Sequence, residues 1–146
     1  MTKQLYYFLN FTFGLPMTLI GLIVSLVLLI TGHKPKRFAG SIYFELGHNW
    51  GGLSLGPFFI CQEGCSEAIK THEFGHSIQN CMFGPLMPFV VGIPSAVRYW
   101  YREFLICKGK TDLKPYYSIW FEAQATQFGN AYKSLWENQM KEDEPK

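Results

Sequence analysis

Histidine is scarce in this 146-residue chain: it occurs only at His33, His48, His72 and His76, with none further on. Charge is thin as well. Asp, Glu, Lys and Arg make up 16% of residues and the formal net charge is +2, with no basic face of the nucleic-acid-binding kind, so no nucleic-acid partner is expected. Cysteine is limited to Cys61, Cys65, Cys81 and Cys107. Their spacing is not that of a small disulfide-stapled domain, and reduced thiols are the expectation. Internal repeats are lacking. Apolar residues, by contrast, make up 48% of the chain, which excludes a disordered polymer and suits one folded domain.

Residues 5–32 carry no charge at all. From Phe11 to Thr31 nearly every residue is apolar or small, enough for a helix across a hydrocarbon core of about 30 Å. We therefore expect residues 1–32 to form a membrane anchor, an N-terminal transmembrane helix that Pro16 kinks or opens. A cleaved signal peptide would need a shorter apolar run. Lys34, Lys36 and Arg37 outweigh Lys3 across the segment, and the positive-inside rule then puts the following part on the cytoplasmic side. The expected location is an integral membrane protein with its working part facing the cytoplasm.

Residues 33–140 read as one membrane-associated domain and residues 141–146 as a disordered tail. Ser41–Leu46 and Leu53–Ile60 are β-prone and flank a glycine-rich turn, which predicts a short β-hairpin. Pro57 cannot donate to a ladder, so the second strand should be an edge. An extended peptide could add to that edge through Leu53, Ser54, Leu55 and Gly56. Residues 83–97 are uncharged but hold Pro85, Pro88 and Pro94, the material of a re-entrant or interfacial loop rather than a straight helix. Pro94 should open an interfacial helix carrying Arg98, Trp100, Tyr101 and Arg102. Pro115 should open a C-terminal helix. The fold class is an α+β membrane protein.

The stretch Lys70–Ser77 contains His72-Glu73-Phe74-Gly75-His76. On a helix the two histidines share a face and Glu73 lies beside it, the His-Glu-x-x-His arrangement of zinc-dependent hydrolases. Neutral imidazole suits zinc, and a neighbouring carboxylate can take a proton from a metal-bound water. Ser66 as N-cap and Glu67 in the first turn support a helix ending near Gly84-Pro85.

A catalytic zinc normally has three protein ligands and an open position. No histidine follows His76, and position 79 is Gln, which excludes the metzincin continuation. A carboxylate is then the expected third ligand. Glu122 sits on a helical stripe with Ser118, Ile119, Ala125, Thr126 and Gly129, mostly small residues that let another helix approach. A glutamate there would be buried and would require a partner. Gly75 offers matching room on the motif helix. The competing readings are an ion pair of Glu122 with Arg98, His48 as the third ligand, and a structural zinc on Cys61, Cys65 and the two histidines.

Taken together, His72-Glu-Phe-Gly-His76 and Glu122-Ala-Gln-Ala125 resemble the gluzincin metallopeptidases, closest in style to the integral-membrane endopeptidases that process prenylated proteins. The resemblance covers these two motifs only. It implies a zincin-like domain with Zn²⁺ on His72, His76 and Glu122, Glu73 as catalytic base, and peptide or membrane-proximal protein substrates. Thr126 stands where that family has an Asp that orients a ligating histidine, a task left to Thr126 or Asn130. Tyr116, Tyr132, Asn130 and Arg98 are candidates for stabilising an oxyanion. The site-2 membrane proteases are a weaker likeness, since Asp112 is the only downstream Asp outside the tail. The alternative function is a non-catalytic membrane protein in which zinc only staples two helices.

Overall fold

A computed structural model describes residues 1–112 and 119–142, with side chains to Trp136 in the last helix. It is a mixed α+β fold of five helices and a four-stranded sheet. The apolar N-terminal run does not form one helix. Thr2 caps α1 (Lys3–Phe11), accepting from the Leu5 amide, and α2 follows over Leu15–Ile30. The two are bent by 89°, and among the described residues no single helix is long and apolar enough to cross a membrane. The physical reason is local. Pro16 sits in the first turn of α2, where its missing N–H costs nothing, so it starts a helix instead of kinking one.

The sheet has the order β1-β2-β4-β3, with β1 Lys36–Phe38, β2 Ser41–Glu45, β3 Gly52–Leu55 and β4 Phe58–Cys61. This corrects the expected hairpin. The second β-prone stretch is itself a hairpin, broken at Gly56-Pro57, where Gly56 has φ +68°. The first stretch, β2, pairs parallel with β4. Pro57 sits just before β4, where only its carbonyl is used, accepting from the Ile42 amide (3.0 Å); β4 is central, and of the two hairpin strands β3 is the edge. One face of the sheet, Tyr43, Phe59 and Cys61, packs on Ile69 of the third helix. The other face, Phe44 and Ile60, packs on Leu28 of α2.

Helix α3 (Glu67–Phe83) starts at the Ser66 cap and ends at Gly84, whose φ of +52° stops it where the sequence predicts. A 3-10 turn (Gly84–Leu86) and a π-turn (Pro88–Gly92) lead into α4 (Ile93–Cys107), with Pro94 in its first turn. No residue of α4 is fully buried, and Val97, Trp100, Tyr101 and Phe104 are exposed. Helix α5 runs over Trp120–Glu142. The expected start at Pro115 and the tail from 143 lie outside the described residues. Lys141 and Glu142, assigned to the tail by sequence, are still helical.

Cys61 and Cys65 are joined by a disulfide, with Cα atoms 6.2 Å apart, against the expectation of reduced thiols throughout. Gly64, at φ +65°, turns the chain back from β4 toward α3 and brings the two together. Cys81 is free and buried, and Cys107 is free and exposed. Burial pushes the Cys81 thiol up to about 12.

Helices α3 and α5 approach so closely that glycine is required at two crossings. A Cβ on Gly75 would overlap the Ala125 carbonyl, and one on Gly129 would overlap the Thr71 carbonyl. The Ala125–Gly129 part of the small-residue stripe anticipated from sequence is therefore the contact itself, while Ser118 lies outside the described residues. Gly75→Ala should cost about 1–3 kcal/mol through overpacking, read as a lowered midpoint in chemical unfolding. An unchanged midpoint would mean the helices are further apart than described.

Candidate metal centre

Two helices build the centre. On α3, His72 and His76 lie one turn apart, and Phe74 between them anchors the opposite side in a cluster with Tyr6, Ile78 and Trp136. On α5, Glu122 lies one turn before Ala125, where Gly75 lets the helices touch. His72 Nε2 is 3.0 Å and His76 Nε2 3.3 Å from the same oxygen, Glu122 Oε2. The two Nε2 atoms are 3.1 Å apart. His72 and His76 are each 7% exposed and Glu122 0%. Zinc bonds of roughly 2.0–2.1 Å put the donor atoms of a tetrahedral site roughly 3.3 Å apart, close to this triangle. Among the described residues it is the sole group of three or more such ligands that converges.

Proton accounting sharpens the fit. The Gln79 amide nitrogen donates to the Phe121 carbonyl (2.8 Å) and to Gln124 Oε1 (3.0 Å). Its oxygen is thereby turned to His76 Nδ1 at 2.8 Å. A carbonyl oxygen only accepts, so His76 Nδ1 carries the hydrogen. Thr126 Oγ1 lies 2.9 Å from His72 Nδ1 and 3.3 Å from the Glu122 carbonyl one turn back. Both imidazole Nε2 atoms thus turn toward the one buried Glu122 oxygen. Such a set repels unless a proton or a cation stands between its members. Ser95 Oγ, on α4, holds the other carboxylate oxygen at 2.6 Å. Each of the three ligands thus has its own orienting partner.

The electrostatics agree. Burial would lift the Glu122 carboxyl, but hydrogen bonding with His72, His76 and Ser95 holds it well below the usual range. Burial pulls His76 down, yet Glu122 and Glu73 more than offset it and leave its pKa above that of ordinary histidine. For Glu73, burial prevails over the pull of His76 and His72 and pushes the carboxyl up.

Glu73 rests against the edge strand. A Cβ on Gly52 would overlap its carboxylate. The Gln62 amide donates to the Gly51 carbonyl (2.9 Å). This fixes the phase of the β3–β4 ladder: positions 51, 53 and 55 are the bonded ones, and the N–H and C=O groups of Gly52 and Ser54 turn away from β4. Among the described residues these groups have no backbone partner, and this edge lies next to Glu73. A cavity of about 480 Å³, lined by Ala68, His72, Ala123, Thr126 and Gln127, opens between α3 and α5.

His72, His76, Glu122, Glu73 and Thr126 are brought together as the sequence predicts, and Gly52 joins Ser54 at the free edge. Other candidates fall elsewhere. Leu53 is half exposed, whereas Leu55 is buried against Met17 and Phe121 on the α2 side. Gly56 sits in the turn against Thr18. Asn130 is exposed on α5, one turn beyond Thr126, which is the partner of His72. Tyr132 packs with the Tyr6–Trp136 cluster, and Tyr116 lies outside the described residues. Glu122 meets the histidines and Ser95, so it does not depend on Arg98 for a partner. His48 pairs with Glu63 at 3.6 Å on the surface, and Cys61 and Cys65 are bonded to each other. Neither alternative ligand set forms. Gln79 and Ser95 were not foreseen. Gln79 had a readable signal, three residues after His76 on one helical face; Ser95 had none. Comparisons with protein-family profiles, curated proteins and solved structures give no match to this chain.

The purified protein is expected to hold about one zinc. Glu122→Ala should lose it, while Thr126→Val and Gln79→Leu should weaken zinc affinity by about 10–100-fold, measured by chelator competition. Undiminished affinity in Glu122→Ala would remove that residue from the centre.

Proposed function

We propose that this chain is a small membrane-associated zinc metallopeptidase of gluzincin type, hydrolysing peptide bonds in peptides or membrane-proximal protein segments. The observation that carries the reading is the convergence of two buried imidazole Nε2 atoms on one buried carboxylate oxygen, with a second glutamate next to them on α3, against the edge strand β3. His72, His76 and Glu122 are the residues to hold Zn²⁺. The bound ion would supply Lewis acidity, polarising the scissile carbonyl and acidifying a water. Glu73 takes the proton of that water on its carboxylate and hands it to the leaving amine. Its raised pKa suits the second half of that cycle. The substrate backbone pairs with the outward N–H and C=O groups of Gly52 and Ser54, as an added strand. Lipid contact is supported by the uncharged run of residues 5–32. The lysines and Arg37 after it favour the cytoplasmic side.

The near-complete burial of all three ligands favours one other reading, a zinc that only joins α3 to α5. Glu73→Gln separates the two. The variant should keep its zinc while peptidase activity falls by about 10²–10⁴-fold, assayed on a peptide library. Zinc-loaded protein inactive in both forms would leave only the helix-joining role.

A further inference from the structure

The apolar N-terminal run leaves the body of the protein and returns to it. Before α1, the Met1 carbonyl accepts from Trp136 Nε1 (3.2 Å) and Lys3 lies over the same ring. After α2, Gly40 is pressed against Trp136 and Tyr6, and Phe38 packs in that cluster with Met1. Both flanks of the run therefore meet around one tryptophan of α5. A segment crossing a bilayer would have its flanks on opposite sides, about 30 Å apart.

The bend itself is prepared for an apolar surrounding. Every helix break frees backbone carbonyls, and here they find donors within the protein. Thr12 Oγ1 donates to the Phe8 carbonyl, the Gly14 amide to that of Leu9, and Thr18 Oγ1 to that of Asn10. Asn80 Nδ2 reaches across from α3 to the Gly14 carbonyl (3.1 Å) and to Asn10 Oδ1 (2.8 Å). Carbonyls paired in this way need no water, so hydrocarbon can surround the corner without leaving them unsatisfied. The corner also meets the second bent pair, α3 through α4, which turns by 115°. The Phe13 ring lies against Gly84, and Met17, Met87 and Val91 share one cluster. Around this junction Phe11, Phe13, Met82, Leu86 and Phe89 are all exposed. No acidic residue occurs before Glu45. With α1 of nine residues, the corner reaches about 13.5 Å, within one leaflet's share of about 15 Å of hydrocarbon.

We propose that the paired corners, residues 11–15 and 82–89, together with the outer face of α2, seat in a single leaflet of a lipid bilayer, and that the chain dips in without crossing. This rests on the membrane association argued above and replaces its transmembrane anchor. It sets Lys3, Lys34, Lys36 and Arg37 on one side with the metal centre, facing headgroups of the same leaflet.

Variants with one added exposed cysteine, Gln4→Cys, Lys34→Cys and Phe13→Cys, in a Cys107→Ser background of the full chain that keeps the buried Cys81 and the Cys61–Cys65 disulfide, test it with a membrane-impermeant maleimide, the background alone serving as the blank. The preparations are intact cells and inside-out membrane vesicles. Positions 4 and 34 should label together in one preparation and at least ten-fold less in the other. Position 13 should label in neither until detergent is added. Labelling of 4 and 34 from opposite sides overturns the single-leaflet seat but leaves membrane association standing. Recovery of the chain in the soluble fraction, with position 13 labelled there, overturns both. Neither result touches the zinc peptidase reading, which zinc content and Glu73→Gln decide.

Discussion

The centre depends on how closely two helix backbones can approach. Gly75 lies over the Ala125 carbonyl and Gly129 over the Thr71 carbonyl. Because side chains are missing at both points, Glu122 reaches its histidines without extending across a gap. A wider crossing would leave a buried carboxylate with no partner, at a cost of several kcal/mol. The same contact delivers Thr126 to His72 and lets Gln79 find the Phe121 carbonyl. One steric allowance thus fixes ligands and their orienting partners at once. The sheet then brings Gly52, another position without a side chain, under Glu73.

Much of this was legible in the chain because it is local. The helical spacing of His72 and His76, the Ser66 cap and the stop at Gly84 are all written within a few residues. The small stripe around Glu122 is local too, and counting histidines directed attention to it. What escaped depends on pairings distant in sequence. Nothing near residues 41–45 says that they run parallel to 58–61 instead of antiparallel to 53–60. The turn at Gly56-Pro57 was visible, yet reading across it merged two strands into one. Ser95 reaches Glu122 only because the chain reverses between α3 and α4.

The N-terminal run shows the opposite limit. Composition alone made it a single membrane-crossing helix. Pro16 breaks it by opening a second helix, and polar residues that a hydropathy count averages away then close the corner: Asn10, Thr12 and Thr18, with Asn80 arriving from another helix. Each is unremarkable as a letter. Together they satisfy a corner that could not otherwise be buried, and the flanks are then free to meet at Trp136.

The topology also sets an order in time. The β3–β4 hairpin, closed by two residues, and the single helices need only short loops to form. The ligands lie on either side of a long intervening segment, and their meeting requires one of the less local contacts in the chain. An ion that binds only the finished arrangement would draw the whole fold toward completion by mass action, so metal supply would act on the lifetime of the folded chain as well as on its chemistry.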